Sequence, residues 1–241
     1  LFKKINADTR YFSELKDIVF VPTKKDEVES KVIATLPVEY QSLSSKSKSL
    51  FYKHAINFLK RRGINEIDIK KYKLGFCDNG VYQNRIIIPS YDENGILNYF
   101  VGRSFMGDNM KYKNPNVSRD IIPFDWFIAW SYPIVLCEGV FDAISIRTNA
   151  IPMLSKRPSK SLLRKVFEKK VKTIYIALDD DAKKDAYRLS EFFKDFGIDT
   201  KVVNLPKDKD PNDLGFDKIT DLIGKTISSS FSDMIQARLY G

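Results

Sequence analysis

The chain is short of the residues that build zinc sites and disulfide staples: it has two cysteines, Cys77 and Cys137, and one histidine, His54. That set cannot furnish a Cys/His zinc site within this segment. It also excludes the cysteine-rich class of small secreted domains. Cys137 falls in an apolar run and reads as a core residue, and His54 reads as a packed or surface histidine. No run of 18 apolar residues exists, so no membrane-spanning helix is expected. No charged-then-apolar leader is visible. The P-loop is missing too: Gly224-Lys-Thr226 would need a glycine at 219, where Ile219 stands. The first residues, Leu1-Phe-Lys-Lys, include no methionine, and the chain is expected to be a piece of something longer.

What is present supports sizeable cores. The 241 residues are 43% hydrophobic and 13% aromatic, enough for one large domain or two small ones. Lys and Arg number 40 against 31 Asp and Glu, a formal charge of +9. Many of the acids fall in three clusters, so the remaining surface is more basic than the total. A basic face fits a polyanionic partner.

The three acidic clusters share one pattern. Ile134 to Cys137 reads as a buried strand of a parallel sheet, followed by Glu138, Gly139 and, one helical turn on, Asp142. Val171 to Asp179 is a second buried strand ending in an acid, with Asp180 and Asp181 next. Asp179 and Asp181 are two apart and point the same way in extended backbone. A third strand, Lys201 to Leu205, runs into a loop carrying Asp208, Asp210 and Asp213. Ligands of open α/β sheets bind at the carboxyl edge of the strands, where all these acids should collect. Carboxylates that close repel each other and raise each other's pKa. A divalent cation relieves this, and oxygen-only ligands suit magnesium, which also takes phosphate oxygens. The pattern therefore calls for a metal and a phosphate-bearing substrate.

The rest of the chain reads as follows. Residues 5–19 form an amphipathic helix, and 20–48 a linker rich in turn formers. Residues 49–62 form a helix with Leu50, Ala55, Phe58 and Leu59 on one stripe, stopped by Gly63. Asn65 caps a short helix holding Ile67 and Tyr72. Strands 83–89 and 96–103 flank Asn94-Gly95, a strong hairpin turn. Tyr112, between Lys111 and Lys113, suits base stacking beside phosphate contacts and equally a covering role on the hairpin. Strand and helix then alternate over 133–214, as a parallel sheet demands. Residues 216–240 read as helical, with Met234, Ile235 and Leu239 toward the end.

Glu138-Gly-x-x-Asp142, Asp179-x-Asp181 and Lys209-Asp-Pro-Asn-Asp213 together resemble the TOPRIM fold of bacterial-type primases, topoisomerases and some nucleases. Residues 55–77, Arg85-Ile-Ile-Ile-Pro, Val101-Gly-Arg103 and Lys111-Tyr-x-Asn-Pro115 resemble the lead-in and basic half of DnaG-type primases. The resemblance spans about residues 50–225, and the order and spacing of the motifs are its specific part. Short loops and a lysine-rich composition look more like a tailed-bacteriophage primase.

The resemblance implies an α/β chain, α+β overall. A TOPRIM-like parallel sheet flanked by helices, residues 131–226, would follow a smaller basic α+β subdomain, residues 49–130. Residues 1–48 would be a linker and short helix after a missing upstream module, and 227–241 a helical tail. It implies a nucleotidyltransferase that makes short RNA primers from ribonucleoside triphosphates on a single-stranded DNA template. Two or more Mg2+ or Mn2+ ions, roughly 4 Å apart, would activate the attacking oxygen and steady the leaving one. Asp179, Asp181 and Asp210 are the implied ligands. Glu138 either binds metal or handles the hydroxyl proton, and Asp142 and Asp213 rank second. Arg85, Arg103 and Lys111 would neutralise triphosphate or template phosphates, with Tyr112 and Asn114 beside them. A replicative helicase is the expected protein partner, and the upstream module is expected to carry zinc. The implied location is a bacterial cytoplasm, the host's if the source is viral.

Three departures stand out. Lys184 replaces a glycine three residues after Asp181 and puts a positive charge near phosphate. Asn212 stands where an acid is common. Ser155-Lys-Arg-Pro lacks the family's small-residue turn. Two other readings use the same residues: a TOPRIM nuclease that cuts DNA with metal, and a non-catalytic single-strand-binding adaptor for a helicase.

Overall fold

The computed structural model describes residues 34–107 and 110–226, and its first helix, α1 (Leu50–Arg61), lies where the apolar stripe placed it. Ala55 and Leu59 are buried, but Leu50 is exposed, because the helix enters the core only one turn later. The side chain of Asn65 accepts from the amides of Ile67 and Asp68, and Asp68 returns a bond from the Asn65 amide, closing a capping box on α2 (Glu66–Lys71). This six-residue helix has one inward face, taken by Asp68 and Ile69. Tyr72 is buried as expected, whereas Ile67 faces solvent.

Five antiparallel strands follow in spatial order: β1 (Gln41–Ser42), β2 (Gly75–Cys77), β3 (Arg85–Tyr91), β4 (Leu97–Ser104) and β5 (Tyr112–Lys113). The β3–β4 hairpin turns at Asn94-Gly95, where Asp92 Oδ1 accepts from the amides of Asn94 and Ile96. Gly95 is required twice over: its φ is 77°, and a Cβ there would strike the Trp126 ring. The expected linker fails at β1. Gln41 and Ser42 pair with Phe76 and Gly75, and Leu43 is buried, because two backbone pairs and one apolar side chain outweigh the polar composition around them.

The second sheet is parallel throughout, in the order β7 (Ala150–Pro152), β6 (Ile134–Cys137), β8 (Thr173–Ala177), β9 (Asp199–Val202). Between and after these strands run α3 (Val140–Ile146), α4 (Lys160–Glu168), α5 (Lys183–Asp195) and α6 (Pro211–Lys225). One core cluster joins Ile86, Ile88 and Val101 of the antiparallel sheet to Val135, Cys137 and Phe141 of the parallel half. Another packs Leu136, Ile174 and Ile176 against Leu163 and Phe193. The parallel sheet is thus covered on both faces, which explains its unbroken apolar strands. His54 is a surface residue and both cysteines are buried and free.

Two boundaries differ from expectation. The fourth strand ends at Val202 rather than Leu205. The last helix begins at Pro211, not 216, because Asp210 caps it and Pro211 occupies its first turn. Gly215, with φ 73°, kinks it. The helices expected at 5–19 and around Met234, Ile235 and Leu239 lie outside the described residues. Among the described residues, no helix is long and apolar enough to cross a membrane.

Candidate active site

Cys137 pairs in register with Ala177, so Glu138 and Asp179 emerge from adjacent parallel strand tips, one residue out of step. Asp180–Ala182 forms a single 3-10 turn, closed by the Ala182 amide on the Asp179 carbonyl at 2.8 Å. That turn carries Asp181 out toward solvent. Asp210 caps α6, its Oδ1 accepting from the Asp213 amide at 2.6 Å. Asp213 itself is exposed and shares with Asp210 a cleft of ≈ 400 Å3 lined also by Phe58, Arg61, Arg62 and Asn212.

The acids share one electrostatic field. Burial pushes the Asp179 carboxyl up to about 6, and the charges of Glu138, Asp210 and Asp181 add to it. Burial also raises Glu138, Lys156 opposes this, and Asp181 and Asp185 reinforce it. Glu138 Oε2 and Asp179 Oδ1 are buried with no hydrogen-bond partner among the described residues. Buried carboxylate oxygens without partners are costly, and a cation is the group that satisfies them. The donor set, all oxygen and all acidic, fits magnesium or manganese and not zinc. Among the described residues, however, no three acids already converge tightly enough to hold an ion as they stand. The expectation was of acids meeting around cations. They share an edge, and Asp142, Asp181 and Asp210 are already hydrogen-bonded to other groups there.

Asp142 is one of the acids already engaged. It is buried, and its two oxygens accept from the amides of Gly139 at 2.8 Å and Asn212 at 3.3 Å. Burial, then Asp210 and Asp179, push its carboxyl up to about 7. A Cβ at Gly139 would stand 2.8 Å from Asp142 Oδ2, so the glycine admits this close cap. Asn212, which stands where an acid is common, forms a joint. Its Nδ2 donates to the Arg62 carbonyl and Ser145 Oγ, and its Oδ1 accepts from Arg62 Nη1.

Lys156 was not expected here. Its Nζ lies 2.7 Å from Asp181 Oδ2. The only hint in sequence was position: Ser155-Lys-Arg-Pro follows β7, whose carboxyl end lies beside that of β6.

The basic residues divide. Arg85 is buried, and its Nη1 donates to the Met110 carbonyl at 3.0 Å, so it braces the sheet rather than standing open to solvent. The Arg103 guanidinium stacks 4.6 Å over the Tyr112 ring, which is about half exposed. Lys111 is exposed beside them. Asn114 Oδ1 is buried without a partner among the described residues. Lys184 is exposed on the first turn of α5.

A family model described as Toprim-like matches residues 135–215, the segment that holds every acid of this site. The uncharacterized protein MG010 of Mycoplasma genitalium is 31% identical over 191 residues, covering 73% of this chain and 86% of that protein. The chain belongs to the family of this mycoplasmal protein. The DNA primase of Clostridium acetobutylicum is 23% identical over 181 residues, 68% of this chain, which spans only 30% of that primase's length. Among solved structures, a DnaG primase catalytic domain bound to single-stranded DNA superposes with a TM-score of 0.66 at 17% identity, covering 80% of this chain and 77% of that one. This chain therefore has the fold of the DnaG catalytic core, a mixed α/β arrangement with a helix-flanked parallel sheet.

Proposed function

We propose that this chain is the polymerase core of a DnaG-type primase, a nucleotidyltransferase that joins ribonucleotides on single-stranded DNA with the help of divalent metal. The observation that carries the reading is the pair of partnerless buried oxygens, Glu138 Oε2 and Asp179 Oδ1, at adjacent strand tips of a Toprim-like segment. Glu138, Asp179, Asp181 and Asp210 are the groups to hold the ions. When bound, such ions supply charge that activates an attacking 3′ hydroxyl and stabilises departing pyrophosphate.

The protein's own residues do the rest. Asp142 and Asn212 position the α3 and α6 ends that bear on the acids. Arg103 and Tyr112 form a stacked pair that offers a base an aromatic face and a phosphate a cation. Lys111 and Lys184 add positive charge, and the Asn114 oxygen, buried and without a partner among the described residues, is an unused acceptor beside them. The antiparallel half would grip template and nucleotide, and the parallel half would carry the metal chemistry. A replicative helicase and a separate zinc-binding module are the partners this role implies.

The test supplies single-stranded DNA, ribonucleoside triphosphates and Mg2+ or Mn2+, with a primase zinc-binding module in trans. Short RNA made by the wild type and lost in Asp179→Asn and Glu138→Gln supports the proposal. Cleaved DNA without RNA replaces it with the nuclease reading. DNA binding with neither product, unaffected by Asp179→Asn, replaces it with the adaptor reading.

A further inference from the structure

The acid cluster has an inner and an outer half. The inner half holds the partnerless oxygens of Glu138 and Asp179. The outer half already has a cation. Lys156 Nζ sits 2.7 Å from Asp181 Oδ2, and the charges of Glu138 and Asp185 also act on it. Its loop is braced. The Leu154 amide donates to the Glu138 carbonyl at 2.9 Å. Ser155 Oγ accepts from the Arg157 amide at 3.1 Å and donates to the Arg157 carbonyl at 2.6 Å. The ammonium is therefore delivered to the cluster by a fixed turn hydrogen-bonded to a strand tip that bears one of the acids.

We infer that Lys156 is a built-in counter-ion of this site, one that competes with a divalent ion for Asp181. This rests on the proposed metal site and adds to it an order of occupation. The inner position takes an ion directly, because Glu138 and Asp179 have oxygens to offer. The outer position takes one only when the ammonium leaves Asp181. An incoming polyphosphate provides a reason for it to leave, since it offers the lysine other anionic oxygens. The cost is modest because the pair is partly exposed, with side-chain accessibilities of 39% and 73%.

The test is a Mn2+ titration followed by electron paramagnetic resonance of the free ion, with no nucleotide and no turnover. Wild type should bind one ion more tightly than a second. Lys156→Met should tighten the second by roughly five-fold, the size at which exposed ion pairs are measured. Lys156→Arg, which keeps the charge, should behave as wild type. Lys183→Met is the control for general field effects, because Lys183 pairs with the neighbouring Asp180 instead. Asp179→Asn should lose the tight ion. If Lys156→Met and wild type give the same two-ion isotherm, or Lys183→Met matches Lys156→Met, the counter-ion role is overturned while the metal site stands. If neither wild type nor Lys156→Met binds Mn2+, the metal site falls and this inference falls with it.

Discussion

Arg62 and Asn212, 150 residues apart, exchange hydrogen bonds: Arg62 Nη1 donates to Asn212 Oδ1 at 2.7 Å, and Asn212 Nδ2 donates to the Arg62 carbonyl at 2.9 Å. The same Nδ2 reaches Ser145 Oγ, and the Asn212 amide reaches Asp142. One amide side chain thereby ties the end of α1 to α3 and α6. Asn212→Ala should lower unfolding free energy by about 3 kcal/mol, because it strands several buried polar groups at once. Asn212→Asp should also destabilise, since it removes the Nδ2 donor and adds a charge beside Asp142. Urea unfolding measures both, and a gain in stability for the Asp variant would show that an acid belongs at this position.

The raised carboxyls set a pH dependence. Asp142 stands at about 7 and Asp179 at about 6, both above their ordinary value of 3.8. An acid raised by folding binds its proton more tightly in the folded state. Its stabilising contribution is present at low pH and is lost as pH climbs from the ordinary value through the folded one. The window is therefore from about pH 4 to about 7. In EDTA, the melting temperature should be lower at pH 8 than at pH 5. Asp179→Asn should shrink that difference, and Mn2+ at pH 8 should recover part of it in the wild type only. A melting temperature indifferent to pH would remove electrostatic strain from the account of this site.

A buried cation clasps the two halves at another point. Lys165 Nζ lies 3.0 Å from Asp125 Oδ2 and 2.8 Å from Glu93 Oε2, and Trp130 donates to Asp125 Oδ1. Glu93 belongs to the β3–β4 turn and Lys165 to α4. Lys165→Met leaves the buried Asp125 carboxylate without its countercharge and should cost about 3 kcal/mol. The check is chemical denaturation, with Glu93→Gln, a more exposed partner, losing far less.

Stacking and charge at the basic sheet separate in a salt titration. Tyr112→Ala should weaken binding of a labelled oligo-dT by about ten-fold with little change in salt slope, because it removes an aromatic face and no charge. Lys111→Ala should weaken it less at high salt and reduce the slope by about one. Fluorescence anisotropy at several salt concentrations distinguishes the two. Equal slopes for all three proteins would place the nucleic acid elsewhere.

The periodicities that depend on nearby residues were readable from one dimension. A four-residue apolar run buried on both faces, an Asn-Gly turn and an Asn cap each encode their geometry within a few positions, and β6, the hairpin and α2 appear accordingly. The helix-flanked parallel sheet follows from the alternation of such segments. The edge that gathers the acids was legible for the same reason, since parallel strands must all end on one side. Pairwise encounters between distant segments were not legible. No local pattern tells that Asn212 meets Arg62, that Lys156 meets Asp181, or that Gln41 and Ser42 join a sheet. Those contacts arise from how packed elements bring remote side chains within 3 Å, and the energy that selects them is spread over the whole core.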